Sequence, residues 1–445
     1  MLALIDSNNF FVSCERLFRP DLAGRPVVVL SSNDGCAVSR SNEAKALGIP
    51  MGAPIFKYRE LFKRHGVVAF SANFELYGDI SERISTLLTS ITPHIENYSV
   101  DEAFLDLDNL DIKDYTKWGR AVRATVLQYI GIPVSIGIAP TKTLTKLAAD
   151  WAKIHPETEG ALHWPERDEG LLRSFDVHDV WGVGWRLAPQ LKAQGVFTAL
   201  DLSRMDPRHA QQLMGIHGRH MVYELGGTRC LPLQQRTKPQ LVISRGRQFG
   251  RDTSDISVVE AAVTTMGVRA AQELRREGQL AYGIGVSLRT NRHKPGYTSS
   301  FEQMRLVAPT ADTGVICSGL VKLVQKIFRP EYSYHKSEVY LYDLVSGTVI
   351  QTDVFGQVDI SILERQAACM QALDAINAKH GPGSLRPATE AMSDRWQPRR
   401  DRLSPRYTSA WSDIPQATLS AVSNARIHAT TVRASKSSGL DAAGS

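Results

Sequence analysis

Short apolar runs alternate with longer stretches of helical spacing along the first third of the chain, and this alternation limits the architectures open to it. Residues 2–5 read as a buried strand that ends on Asp6. Residues 26–30 read as a second strand, and the turn chemistry of Ser31-Ser-Asn-Asp-Gly-Cys36 predicts a hairpin after it. Residues 41–47 and 72–91 have helical spacing, whereas 95–107 alternate like a strand pair with Asp101-Glu102 in the middle. Strand 134–138 leads through Pro140 into a helix. Together these elements predict an α/β domain spanning roughly the first 165 residues.

A single core rarely grows beyond about 250 residues, so a chain of 445 implies several domains. No apolar run approaches the roughly 18 residues that a bilayer span needs, and the first residues lack the basic start of a signal peptide. The expectation is a soluble cytoplasmic protein with no membrane partner. Cys14, Cys36, Cys230, Cys317 and Cys369 are scattered without paired spacing, which predicts reduced thiols rather than disulfides or a zinc site.

The helix predicted over 141–153 separates its residues cleanly by angle. Leu144, Leu147, Ala148 and Trp151 cluster on one side, and Lys142, Lys146 and Lys153 on the other. That second side reads either as a phosphate-binding cationic stripe or as an ordinary solvated face. Further on, residues 177–195 read as a helix, a Gly-x-Gly turn at Gly182 and Gly184, and a second helix. A helix-hairpin-helix of this kind lets backbone N–H groups approach a phosphate. A looser turn at Gly215-Ile-His-Gly218 extends this helical region.

From residue 241 the periodicity reads strand (241–250), helix (257–277), strand (282–290), strand (301–307), helix (313–328) and strand (337–344), a β-α-β-β-α-β unit. The net charge of the chain is +6, and residues 236–300 account for it, with 11 Lys and Arg against 5 Asp and Glu. Arg245, Arg247 and Arg251 share parity on the first strand and its exit, while Arg289 and Arg292 lie on or just past a neighbouring strand. A basic sheet face that tracks a phosphate backbone is the expectation, against a solvated face. After Gly347 regular periodicity is lost except for a short helix near 363–379, and from about Ser404 the composition predicts a flexible tail.

Phosphoryl transfer from a nucleoside triphosphate asks for two hard cations roughly 4 Å apart, held by carboxylates. Asp6 at the end of the first strand, and Asp101 and Glu102 at a bend between extended segments, are positioned to meet at one sheet edge. Adjacent Asp101 and Glu102 reach one metal pair only if the backbone turns between them. The same residues leave open a non-catalytic DNA-binding scaffold, or a cyclase on a similar sheet.

Several stretches together resemble the Y-family translesion DNA polymerases, and within them the UmuC-type branch found in DNA polymerase V. They are Asp6-Ser-Asn-Asn-Phe-Phe-Val-Ser-Cys-Glu15, Ser31-Ser-Asn-Asp-Gly-Cys36, Asn42-Glu-Ala-Lys-Ala-Leu-Gly48, Tyr98-Ser-Val-Asp-Glu-Ala-Phe104, Gly137-Ile-Ala-Pro-Thr-Lys-Thr143, Asp179-Val-Trp-Gly-Val-Gly184 and Leu403-Ser-Pro-Arg-Tyr-Thr408. The resemblance implies a right-hand polymerase. Its parts are palm and fingers over 1–165 (fingers about 20–75), a helix-hairpin-helix thumb over 166–235, a little finger over 236–346 and an extension over 347–445. It implies error-prone synthesis opposite damaged bases in the SOS response, with a stand-alone DNA polymerase IV-like enzyme as the alternative.

By motif position, Asp6, Asp101 and Glu102 would hold two Mg2+ ions, with the carbonyl of Ser7 on the triphosphate side. Phe11 would be the ribose steric gate for the deoxynucleoside triphosphate, beside Phe10. Asn42, Lys45 and Lys153 would contact the triphosphate, although many relatives carry Tyr where Asn42 stands. Gly182, Gly184 and the four arginines Arg245, Arg247, Arg251 and Arg289 would bind primer-template DNA. Gln351-Thr-Asp-Val-Phe355 resembles a clamp-binding peptide in which Gln351, Asp353, Val354 and Phe355 would engage the β sliding clamp. A cleaved UmuD dimer, a RecA filament and a nucleoid-associated location follow from the same resemblance.

Overall fold

The computed structural model describes residues 1–165, 168–234, 239–347, 360–381, 383–391, 393 and 395–416. The clamp-like peptide from Gln351 to Phe355 lies outside them. Two compact units are present, Met1–Ser404 and Pro405–Ser445. In the second, a short turn spans Trp411–Asp413 and Arg406 pairs with Asp413.

The first unit starts with β1 (Leu2–Ser7), α1 (Phe10–Phe18), β2 (Val27–Leu30), β3 (Ala37–Arg40), α2 (Asn42–Ala46), α3 (Ile55–His65), β4 (Val68–Ser71) and α4 (Phe74–Thr89). It continues through β5 (Ile95–Asn97), β6 (Glu102–Asp106), α5 (Tyr115–Ile130), β7 (Val134–Ala139), α6 (Lys142–Ile154) and β8 (Ala161–His163). One sheet has the order β5-β6-β1-β7-β8, with β1 antiparallel to both β6 and β7. Every residue of β1 is buried, as expected of a central strand covered on both faces. The predicted hairpin joins β2 to β3. On its other side β2 takes β4 as a parallel partner, a pairing that local spacing could not announce.

Five helices follow: α7 (Glu169–Ser174), α8 (Leu187–Ala193), α9 (Ala199–Ser203), α10 (Pro207–Met214) and α11 (Ile216–Leu225). Their core, including Val177, Leu191 and Val222, packs on Leu144 and Leu147 of α6. The apolar side predicted for α6 is thus the one facing these five helices. The first arm of the expected helix-hairpin-helix differs from prediction, because Val177–Asp179 is a single 3-10 turn. The Asp176 carboxylate caps it, and Val180 is already extended before Gly182 turns at φ 94°.

The predicted β-α-β-β-α-β order is observed as β9 (Ile243–Thr253), α12 (Ile256–Arg276), β10 (Gln279–Thr290), β11 (Ser299–Thr310), α13 (Thr313–Ile327) and β12 (Tyr334–Ser346). The strands pair as β11-β10-β12-β9, so β9 is an edge strand. Both helices bury one sheet face, with Val259, Val263 and Leu320 against Ile284, Val286 and Leu341. Beyond it lies α14 (Ile360–His380).

Residues 395–404 then run as a strap with no helical or strand period. Gly250 donates its N–H to Trp396 O, Arg399 N–H to Asn33 Oδ1, Ser71 N–H to Arg402 O, and Asn33 Nδ2 to Phe249 O. The strap therefore ties the β2-β3 turn, β4 and β9 together. Bonds of this sort, made between side chains and irregular backbone, leave no periodic trace in a sequence.

Candidate functional site

Asp6 and Glu102 are register partners on β1 and β6, and Ser7 N–H donates to Asp101 O at 2.8 Å where the chain bends into β6. This bend is the backbone turn that the adjacent acids required. Ser99 builds it: its hydroxyl donates to Asp101 Oδ1 at 2.5 Å and accepts from the N–H groups of Asp101 and Glu102. All three carboxylates are thereby brought to one edge of the sheet.

The cationic stripe of α6 faces that edge rather than solvent. Lys153 Nζ lies 2.9 and 2.8 Å from the two Asp6 oxygens, and Lys146 Nζ lies 2.6 Å from Glu102 Oε1. Lys146 also sits over the rings of Tyr98 at 4.6 Å and Trp181 at 5.4 Å, within cation–π reach. Lys142 departs from the group. It is 3% exposed and pairs with buried Glu96 at 2.6 Å, away from the three acids.

Burial pushes the Asp6 carboxyl up to about 6, against the pull of Lys153 and with help from Glu102 and Asp150. Burial works against the Lys153 ammonium too, but Asp6, with Asp150 and Glu102 behind it, holds that ammonium above its usual range. Partial burial, then Lys153 and Arg40, push the Lys45 ammonium down, and Asp6 opposes them. Lys45, Lys153 and Arg40 therefore form a mutually repelling cationic cluster beside Asp6. Arg40, on β3, was not among the residues the sequence motifs singled out, because a lone strand arginine carries no periodic signal.

The donor set fits hard divalent cations, being all oxygen. As the side chains stand, no three His, Cys, Asp or Glu side chains among the described residues are close enough to share an ion. Asp6 and Glu102 are each drawn to a lysine, and Asp101 to Ser99. A cation would take the place of these ammonium groups.

Beside the acids, Phe11 stacks on Tyr77 with centroids 4.5 Å apart and planes at 13°, and Phe74 meets it edge-on at 6.0 Å. Phe10 is sunk in the core at 3% exposure, so of the two rings only Phe11 keeps an accessible edge. Asn42 Oδ1 accepts from Asn9 Nδ2 at 3.0 Å. The Gly182 and Gly184 turn stands close by, since Trp181 Nε1 donates to the Tyr98 hydroxyl at 3.2 Å.

The basic residues of the C-terminal sheet do not share one face. Arg245 pairs with Glu273 of α12, and Arg247 lies among Thr265 and Arg269 of the same helix, so both project to the helix side. A Cβ at Gly246 would meet the side chain of Glu338, which places position 246 on the opposite, open face. Arg289 belongs to that open face, 3.6 Å from Glu338. Parity along β9 is sound, but parity alone does not say which side of an edge strand the helices cover. Arg251 lies in the stretch where the pairing of β9 with β12 is irregular.

No helix among the described residues is long and apolar enough to cross a membrane. A model described as the impB/mucB/samB family matches residues 5–150, and one described as the impB/mucB/samB family C-terminal domain matches residues 242–354. A domain of unknown function (DUF4113) matches residues 367–417. Protein UmuC of Salmonella typhimurium strain LT2 is 42% identical over 421 residues, covering 93% of this chain and 99% of that protein. Protein SamB of Salmonella typhimurium is 37% identical over 426 residues, covering 94% of this chain and 100% of its own. Among solved structures, a Y-family DNA polymerase chimera of Dbh and Dpo4 superposes with a TM-score of 0.63 at 21% identity, over 78% of this chain and 99% of the chimera.

Proposed function

This chain belongs to the impB/mucB/samB family of Y-family DNA polymerases, and on that premise we propose that it extends primers by a two-metal mechanism centred on Asp6, Asp101 and Glu102. It is a DNA-directed DNA polymerase of the translesion kind. Carrying the mechanistic reading is the pairing of Asp6 with Glu102 across β1 and β6, with Asp101 at the bend beside them.

Two Mg2+ ions held there by the three carboxylates and the Ser7 carbonyl would activate the primer hydroxyl and neutralise the triphosphate. The chain's own groups do the rest. With cations bound there, Asp6 and Glu102 would release Lys153 and Lys146, whose ammonium groups would then be free for the incoming phosphates. Lys45 and Arg40 already crowd that side and gain a counter-charge when a triphosphate arrives. Phe11, braced by Tyr77, offers a flat ring to the sugar and excludes a 2′-hydroxyl by contact. Asn42 can supply an amide hydrogen bond to the same ligand.

The turn at Gly182 and Gly184 grips the duplex backbone from the thumb, and Arg289 with the open sheet face does so from the little finger. Arg245 serves α12 instead, through Glu273. Domain limits near 165, 235 and 346 follow this division of labour. The clamp-like peptide Gln351 to Phe355 and dependence on cleaved UmuD and a RecA filament belong to the same reading, through the UmuC-type resemblance of the sequence motifs.

Primer extension on undamaged and abasic templates with Mg2+ tests it, using wild type and Asp101→Ala with and without the partner proteins. Wild-type extension and loss of at least ~100-fold in the variant are expected. Equal extension by both would end the metal assignment. DNA binding without extension under every condition would favour a scaffold.

A further inference from the structure

The helix side of the little finger holds a second cationic cluster that the mechanism above does not use. Arg247 of β9, Arg269 of α12, and Arg386 and Arg400 from the chain beyond β12 line a cavity of about 200 Å3 with Glu390 and Trp396. Nearby arginines are satisfied: Arg245 pairs with Glu273, Arg275 with Asp374 and Arg395 with Asp255. None of the four lining arginines has a carboxylate within ion-pair distance among the described residues.

Two independent features mark the cavity as built for a ligand. Four guanidinium groups face a single carboxyl, Glu390, which burial pushes up despite Arg386 and Arg269 beside it. Correspondingly, Arg247 is pushed below its ordinary value, first by partial burial and then by Arg269, Arg400 and Arg245. The second feature is neutral. Trp396 is 5% exposed, and its indole N–H has no acceptor among the described residues. A buried donor left unpaired is destabilising unless an acceptor enters. An oxyanion with several lone pairs satisfies both features, and arginine forks match the oxygens of a phosphate.

Position narrows the source of that phosphate. Arg247 and Arg400 also line the adjoining crevice with Ser31, Ser32 and Phe74, and Phe74 is the ring that meets Phe11 edge-on. The cluster therefore lies beside the fingers, next to the candidate sugar gate, and apart from the open sheet face that carries Arg289. We propose that Arg247, Arg269, Arg386 and Arg400, with the indole N–H of Trp396, hold one backbone phosphate of the unpaired template strand outside the active site. This assignment of a strand rather than a free anion rests on the polymerase reading. It also provides a role for the segment between 367 and 417, which contributes Arg386, Trp396 and Arg400.

Anisotropy titration of labelled primer-templates with the full-length protein, in EDTA and without nucleotide, tests the proposal. Single uncharged methylphosphonates are placed one at a time along the unpaired template overhang. Neutralising one or two adjacent positions is expected to weaken wild-type binding about 10-fold and to leave Arg386→Ala/Arg400→Ala unaffected. The slope of log affinity against log salt should fall by about one in the double variant. Trp396→Phe, which keeps the ring and removes the donor, should weaken binding at the same overhang position.

Three outcomes overturn the proposal: an equal loss by the double variant on blunt duplex, a methylphosphonate effect spread evenly over the overhang, or no positional effect with inorganic phosphate cancelling the difference between proteins. Because the readout needs no catalysis, failure of the polymerase reading shows separately. In that case wild type would fail to extend primers while the positional effect persists.

Discussion

Ser404 donates a hydrogen bond to Glu15 Oε1 at 3.1 Å, joining the end of the strap to the helix that carries Phe11. Tyr77 donates to the same oxygen at 2.6 Å while its ring stacks on Phe11, and Asn73 donates to Ser404 Oγ at 3.0 Å. Glu15 is fully buried, and burial pushes its carboxyl up against the pull of both hydroxyls. The support behind the candidate sugar gate therefore includes Ser404, a residue 389 positions from Glu15.

Replacing that hydroxyl tests the connection. Ser404→Ala should cost about 1 kcal/mol in thermal unfolding. Because Tyr77 braces Phe11, it should also raise the ratio of ribonucleotide to deoxynucleotide incorporation by ~2–10-fold, with Phe11→Ala exceeding it. An unaltered ratio in a variant that melts earlier would separate the strap from the gate.

Asp6 predicts a pH dependence in the absence of divalent cations. Its carboxyl is raised from 3.8 to about 6, so the folded state binds this proton more tightly than the unfolded chain. The stabilisation is complete below about 4 and is lost as pH rises through about 6, by up to about 3 kcal/mol. Urea unfolding in EDTA between pH 4 and 8, two limits chosen to bracket about that window, should show this decline in wild type and not in Asp6→Asn. Saturating Mg2+ should remove the decline in wild type. Parallel pH profiles for the two proteins would refute the shift.

The Lys142 and Glu96 pair sits away from the three acids and should behave as a structural ion pair. Lys142→Ala leaves a buried carboxylate uncompensated and should cost about 3–5 kcal/mol. Lys142→Met with Glu96→Leu should recover most of that loss in chemical denaturation, because neither charge is then stranded. A double variant as unstable as the single one would show that the backbone partners of these side chains, Pro232 O and Gln234 N–H, matter more than the charges.

Gly137 of β7 lies directly under α6. A Cβ there would land on the carbonyl oxygen of Thr145 and the backbone nitrogen of Ala149. Gly137→Ala should destabilise the protein by about 2 kcal/mol or more and reduce primer extension as well, since the displaced helix carries Lys146 and Lys153. Melting and extension measured on one preparation check this, and a variant that keeps the wild-type melting temperature would show that α6 can shift freely.

The carboxylate edge was legible in advance because its parts are local. A buried strand ending in Asp6 and a bend holding Asp101-Glu102 are patterns written over a few residues each, and strand pairing then leaves few ways to bring them together. The lysine side of α6 was legible as a stripe, but not as two cations paired with Asp6 and Glu102 and a third buried against Glu96. Angle along a helix ranks side chains around an axis, and what each side meets depends on the sheet beneath. The arginines of β9 illustrate the same limit, since Arg245 and Arg247 share a parity correctly yet face α12.

Periodicity, turn chemistry and a handful of short motifs were therefore enough for the β-α-β-β-α-β order of the C-terminal sheet and for the right-hand family, and they singled out Asp6, Asp101 and Glu102 as candidates, since each of these patterns depends on backbone geometry within a few residues of itself. The pairing of Lys153 and Lys146 with Asp6 and Glu102, the anchoring of Glu15 by Ser404 and the gathering of Arg247, Arg269, Arg386 and Arg400 around Trp396 arose only when distant segments closed on one another. Burial then changed the chemistry of the same side chains. A carboxyl that would ionise freely on the surface is held at about 6 in Asp6 by the strands around it.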